Sequence, residues 1–257
     1  MSRLLRTTFS QQISWNLPAI MLGVILLATW EILSRALPLR QSIVPPPSLI
    51  VHSLYVRGDL LIAHGWPTFS QTVLGFLISA TIGIALGWAI SKSRLIFQAL
   101  YPLTVVLQAM PKEALAPLLI LWFGAEMLSR TILACLIAFF PIVINTVLGV
   151  RSLDSNMRNY ATSLCCSPWQ VFAKVEFPSA LKSIFAGMKV SVTLSVIGVV
   201  VAEIVAGRSG LGYLLLFASS RLDMGFSLAI LLVLGVWGGA LFAALVWLER
   251  HLIFWRS

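Results

Sequence analysis

MRNYATSLCCSPWQVFAKVEFP, residues Met157 to Pro178, is a semi-polar island set between long apolar runs. Met157, Tyr160, Ala161 and Leu164 recur at i, i+3, i+4 and i+7, one face of a helix. Arg158, Asn159, Thr162 and Ser163 fill the opposite face, and that helix should stop near Cys165-Cys166. Ser167-Pro168-Trp169-Gln170 then offers a fresh start, with Ser at the N-cap, Pro at the first helical position and Gln at the third. Such a capping box stabilises a helix end by about 1 kcal/mol. Trp169, Phe172 and Ala173 supply the second helix's apolar face, and Pro178 is expected to end it. Two short helices joined by a sharp bend make a stiff knob, suited to passing on a rigid-body push. The same pattern also fits an ordinary interfacial loop lying on lipid headgroups.

The runs on either side decide the fold class. The chain has 257 residues, 59% of them hydrophobic and 11% charged, with mean hydropathy +0.94. A soluble domain carries about 25% charged residues, and several runs here are long enough for a hydrocarbon core of roughly 30 Å. Ten-residue alternating strands, which a membrane barrel needs, are missing from the sequence. The expectation is an all-α, polytopic membrane helical bundle of about six transmembrane helices. The spans fall near residues 17–37, 69–91, 97–123, 131–150, 185–206 and 226–248. Pro102, Pro111 and Pro117 are expected to interrupt the third. The arginines ahead of the first run precede an apolar stretch too long for a signal-peptide core, which predicts a retained span. A single domain over 1–257 follows, with its core at 69–248 and a cytoplasmic loop at 151–184.

An even number of spans puts both termini on one side. Ten Lys or Arg residues, among them Lys92, Arg94, Arg151, Lys174 and Arg250, fall on that side. Six, Arg35, Arg40, Arg57, Arg130, Arg208 and Arg221, fall on the other, so the positive-inside rule favours N-in, C-in. The net charge of +9 thereby marks topology, and nucleic acid is not the implied partner. Cys135, Cys165 and Cys166 lack the paired spacing of a zinc site or disulfide framework, and the three histidines are scattered, so no metal is expected. No Lys follows a Gly, which rules out a Gly-x-x-x-x-Gly-Lys phosphate loop within this sequence. A Gly-x-Ser-x-Gly elbow and a His-Glu-x-x-His pair are also missing, so catalysis by this chain has no support.

Other features concern the membrane interior. Pro45-Pro46-Pro47 predicts an extended segment, followed by a short amphipathic stretch from Leu49 to Tyr55. Gly83-x-x-x-Gly87 and Gly235-x-x-x-Gly239 are candidate points of close helix approach. Charges inside spans cost about 2.5–3.5 kcal/mol each, which makes them candidates for function. Lys112 and Glu113, with Gln108 and Met110 nearby, either line a solute path or satisfy groups at the Pro111 kink. Glu203 is either a gate or path residue, or a partner of Arg208. Glu31 and Arg35 suit an intrahelical pair, while Asn145 and Lys189 fit hydrogen-bonding or snorkelling roles.

The segment from Asn159 to Gly187 resembles the "EAA" loop of bacterial ABC importer permeases, in which Glu-Ala-Ala is followed by Leu-Gly, a kinked helix and Leu-Pro. Pro45-Pro46-Pro47-Ser48, Pro111-Lys112-Glu113-Ala114-Leu115-Ala116-Pro117, Leu121-Trp122-Phe123-Gly124, Ala202-Glu203 and Gly210-Leu211-Gly212 extend the likeness to the nitrate/sulfonate/taurine branch. Asn159 and Tyr160 stand where that family has Glu and Ala, and Cys165 stands where it has Gly. The resemblance implies a homodimeric translocation subunit in the bacterial inner membrane, surrounded by lipid. It further implies two separate ABC ATPase subunits and an external substrate-binding protein. Met157, Asn159, Tyr160, Ala161, Leu164, Cys165, Ser167, Pro168, Trp169 and Phe172 would meet the ATPase. ATP and its Mg would be held by that partner, leaving this chain without a cofactor. The implied solute is a small organic anion such as a sulfonate or taurine, or a nitrate-like ion. A vitamin precursor such as a pyrimidine stands as the alternative, and an ion-coupled secondary transporter as a different class.

Overall fold

The computed structural model describes residues 4–36, 44–153, 157, 160, 163–164 and 166–253. The elements in order are α1 (Leu4–Ala36), α2 (Pro47–Val56), α3 (Gly58–Lys92), α4 (Arg94–Ala109), a 3-10 turn (Lys112–Leu115), α5 (Ala116–Phe123) and α6 (Met127–Arg151). After the island come α7 (Pro168–Val171), a π-helical turn (Phe172–Glu176), α8 (Phe177–Ala206), α9 (Leu211–Ser220) and α10 (Met224–Leu252). Among the described residues, four helical runs are long and apolar enough to cross a membrane: Gly58–Lys92, Met127–Arg151, Trp169–Val205 and Met224–Leu252. The pair Arg94–Ala109 and Lys112–Phe123, bent by 80°, makes up to a fifth. The first of the six expected spans falls on α1, part of whose side chains lie outside the described residues. Between Met21 and Leu33 most of its apolar side chains are exposed.

At the centre, α6 lies between α3 and α8. Small residues let these backbones close up. An added Cβ on Gly83 would meet Ile142 at 3.0 Å, and one on Gly87 would meet Thr146 at 2.7 Å and the Val143 carbonyl at 2.8 Å. Hydroxyls stitch the same contacts: Ser79 donates to the Cys135 carbonyl (2.9 Å), Ser191 to Ala138 (2.6 Å) and Ser195 to Thr72 (2.9 Å). Where lipid is as apolar as leucine, close packing and interhelical hydrogen bonds must hold helices together. The second small-residue pair behaves otherwise: an added Cβ on Gly235 or Gly239 meets nothing within 4 Å. Among the described residues, their expected helix approach is not made. Gly87→Ala should therefore lower stability by about 1–3 kcal/mol through overpacking, while Gly239→Ala changes it by less than about 0.5 kcal/mol. Thermal melting of the detergent-solubilised protein distinguishes the two.

Of the three prolines expected to interrupt the third span, one does so. Pro102 sits inside α4 without ending it, and Pro117 lies in the first turn of α5, where its missing N–H costs nothing. Pro111 alone stands at the 80° bend. Pro178 was expected to stop the second island helix, yet the chain stays helical through it into α8. The π-helical turn at Phe172–Glu176 immediately precedes it. Such wider turns let a helix absorb a residue that cannot make the usual i to i−4 bond. The fifth expected span accordingly starts 16 residues early, at Trp169 rather than Phe185.

Polar clasps fix the ends. Glu31 on α1 takes Arg35 at 2.6 Å, and its two oxygens also accept from the Ser48 backbone N–H (3.0 Å) and hydroxyl (2.8 Å). The carboxylate thereby caps the first turn of α2, which has no N-cap side chain of its own. Arg57 pairs with Asp223 at 2.6 Å, and Asp223 caps α10 through the Phe226 N–H. Lys189 pairs with Glu249, tying α8 to α10, and Asn145 donates to the Pro141 carbonyl at 2.8 Å.

Candidate functional site

The island is helical at Met157, Tyr160 and Ser163, and the Leu164 N–H donates to the Tyr160 carbonyl at 3.1 Å. Asn159, Ala161 and Cys165 lie outside the described residues. The capping box forms as read. Gln170 Oε1 accepts from the Ser167 N–H at 2.8 Å, and Ser167 Oγ accepts from the Gln170 N–H at 3.3 Å. Pro168 opens α7. Ser167→Ala should cost about 1 kcal/mol at this helix start, read as roughly five-fold faster hydrogen exchange at the Gln170 amide.

The knob has an outer and an inner face. Met157, Tyr160, Leu164 and Trp169 are 52%, 68%, 60% and 71% exposed. Phe172 points the other way, its ring centroid 4.8 Å from Trp88 on α3, 5.3 Å from Trp169 and 5.7 Å from Phe177. Four residues on, buried Glu176 accepts from Lys92 Nζ at 2.5 Å, and that ammonium sits 5.1 Å from the Trp88 ring. One side of the segment is thus bolted to the end of α3 and runs without a break into α8. The other presents large apolar groups to its surroundings.

Of the path candidates, Gln108, Met110 and Lys112 come together at the bend between α4 and α5. Lys112 Nζ donates to the carbonyls of Gln108 (2.8 Å) and Met110 (3.4 Å) and lies 5.0 Å from the Phe140 ring. It caps the orphan carbonyls at the broken helix end. Among the described residues no ion pair joins it to Glu113, which is exposed, as are Gln108 and Met110.

Glu203 lies elsewhere and has no exposed surface. Its oxygens accept from Thr68 Oγ1 (2.8 and 3.1 Å) and from the Gly212 N–H (2.8 Å). Thr68 Oγ1 accepts in turn from the Leu211 N–H at 2.8 Å, and His64 Nδ1 accepts from the Gly210 N–H at 3.2 Å. Gly210 has φ +107°, and a Cβ there would fall 2.0 Å from Glu203 Oε1. Only glycine meets both demands. The expected partner, Arg208, is exposed, and among the described residues no ion pair joins the two. The cation whose field reaches Glu203 is Arg130. Arg130 is 5% exposed and donates to the carbonyls of Ser209 (3.1 Å) and Ala125 (3.1 Å), clamping the two connecting loops together.

His64, Thr68, Gln71 and Arg130 were not singled out by sequence reasoning as site residues. A signal was present. His64, Thr68, Gln71, Thr72, Gly75 and Ser79 fall at i, i+4, i+7, i+8, i+11 and i+15, a polar and small stripe along an otherwise apolar helix.

A family model described as "Binding-protein-dependent transport system inner membrane component" matches residues 79–254. A probable ABC transporter permease protein of Haemophilus influenzae is 32% identical, covering 92% of this chain and 96% of its own. A riboflavin transport system permease protein of Chloroflexus aurantiacus is 35% identical, covering 84% and 81%. A putative aliphatic sulfonates transport permease protein of Bacillus subtilis is 31% identical, covering 93% and 87%. An inward-facing structure of the MetNI methionine ABC transporter superposes with TM-score 0.63 at 14% identity, over 81% of this chain and 98% of that one, a likeness of fold alone. With a family match across well over half its length, the chain belongs to the binding-protein-dependent transport system inner membrane components, the multi-pass permease subunits of ABC importers.

Proposed function

We propose that this permease works as a homodimer with both termini inside the cell, and that Met157 to Phe172 is the handle by which two separate ATPase subunits drive it. ATP and Mg2+ bind those partner chains, and an external binding protein delivers the solute. ATPase closure swings the handle, and the packing of Phe172 on Trp88 and of Glu176 on Lys92 carries the swing into α3. The unbroken run into α8 carries it on to the Glu203 loop. The observation that supports this reading most is the exposure of Met157, Tyr160, Leu164 and Trp169 on a segment whose other face is anchored. Large apolar and aromatic groups exposed together mark a partner surface.

The proposed solute is a small organic anion, in keeping with the sulfonate permease among the relatives. A vitamin-type solute is the second reading, favoured by the relative named for riboflavin. Affinity purification of tagged permease tests the assembly. The ATPase subunit is expected to co-elute at one copy per permease, and a chain lacking residues 159–175 is expected to elute without it. Full ATPase recovery with the deleted chain would refute the handle.

A further inference from the structure

Lys112 and Glu113 stand side by side where α4 has ended and the chain turns by 80° into α5. We propose that this bend recognises a small zwitterion, taking its protonated nitrogen at Glu113 and its oxyanion at Lys112. This deepens the importer reading and rests on it, narrowing the organic anions to those that also carry a cationic nitrogen.

Depth comes first. Lys112 Nζ lies 5.0 Å from the ring of Phe140, the fourteenth of the 25 residues of α6. A helix of that length extends about 37 Å, somewhat more than a hydrocarbon core of roughly 30 Å. Its middle, and the bend beside it, therefore sit near mid-membrane. Met110 and Pro111 leave the helical range there, and Gln108, Met110, Pro111 and Glu113 are all exposed. Non-helical backbone at such depth is tolerated against protein or a water-filled cavity, not against lipid. A carboxylate facing lipid at that depth is disfavoured in the same way. The exposed side of the bend thus lines an aqueous route.

The arrangement of charge supplies the second half. Lys112 feels the field of Glu113, yet among the described residues no ion pair joins them. The ammonium turns instead to the carbonyls of Gln108 (2.8 Å) and Met110 (3.4 Å). An ammonium has three donors, so one is left for an incoming oxyanion. Among the described residues the exposed Glu113 carboxylate has neither a hydrogen bond nor an ion pair. It can only accept, and a protonated nitrogen brings both the donors and the charge it lacks. A plain anion would meet Lys112 and be repelled by Glu113, and a plain cation would meet the reverse. A solute with both charges a few atoms apart meets neither penalty.

The test reads protection of a thiol. In a chain whose native cysteines are replaced by serine, Ala114→Cys alters the exposed residue after Glu113. That permease, purified with its ATPase and placed in nanodiscs, is labelled with the neutral reagent N-ethylmaleimide in the presence of taurine, isethionate or ethylamine. Taurine carries an ammonium and a sulfonate, isethionate only the sulfonate and ethylamine only the ammonium. The thiol is expected to label readily, and taurine to slow labelling at a concentration roughly five-fold or more below either single-charge probe. Glu113→Gln should raise the taurine concentration required to that of isethionate. Because Glu113 is exposed and Gln keeps its shape, the variant should fold. A thiol that does not label, equal protection by taurine and isethionate, or a taurine preference that survives Glu113→Gln would overturn the proposal. Co-elution of the ATPase is scored at the purification step. Its persistence with labelling indifferent to taurine would sink this site alone, whereas its loss from the wild type would sink the importer assembly.

Discussion

Tyr160→Ala combined with Trp169→Ala is expected to abolish solute-driven ATP hydrolysis by the assembled transporter while leaving the permease folded. Both rings are largely exposed, at 68% and 71%, so truncating them removes little packing within the chain. At a protein interface, however, a buried Trp or Tyr typically contributes about 2–4 kcal/mol. Losing both should weaken ATPase binding by roughly a thousand-fold or more. Surface plasmon resonance with immobilised ATPase reads the affinity, and melting of the free permease reads its stability. Phe172→Ala should behave in the opposite way. Its ring packs on Trp88, Trp169 and Phe177, so its loss should lower stability and uncouple the knob from α3 with less effect on capture of the ATPase.

Glu203→Ala carries the second large effect, this time on stability. The carboxylate is fully buried and accepts from Thr68 and Gly212. Its removal leaves the Gly212 N–H without its acceptor and takes from the Thr68 hydroxyl its shorter bond, leaving it only the His64 carbonyl at 3.3 Å. Leaving buried donors without their acceptor costs about 1–3 kcal/mol. Glu203→Gln keeps an accepting oxygen and should cost less, since only its new NH2 lacks a partner. Melting temperature and membrane yield should therefore fall in the order wild type, Gln, Ala. Equal stability of all three would show that the loop after α8 is held by something other than this carboxylate.

Local patterns in the sequence were the legible part of the structure. The apolar runs announced α3, α6, α8 and α10, and Ser167 with Gln170 announced a helix start that forms with both reciprocal bonds. Glu31 and Arg35, four residues apart, pair as their spacing implies. What depends on distant parts of the chain was not legible. Glu203 was matched to Arg208, five residues on, but its hydroxyl partner Thr68 lies 135 residues away. Proline was read as a helix stop at Pro178, but the π-helical turn before it lets the helix continue. At Pro67 a helix expected to begin at Phe69 already has nine residues behind it. The two Gly-x-x-x-Gly pairs look alike as sequence, and only the neighbour across the contact separates Gly83 and Gly87 from Gly235 and Gly239. Membership of the ABC permease family also removes the ion-coupled secondary transporter from contention.

Cysteine crosslinking at the exposed face of the knob tests the central claim most directly. Leu164→Cys, in a chain whose native cysteines are replaced by serine, is labelled with a maleimide–benzophenone, whose photoactivated ketone inserts into a neighbouring C–H bond, and irradiated in membranes containing the assembled transporter. A single adduct of permease and ATPase, whose yield changes when ATP is added, is the predicted product. A thiol that reacts fully yet never joins the ATPase, in a transporter that still imports its solute, would contradict it.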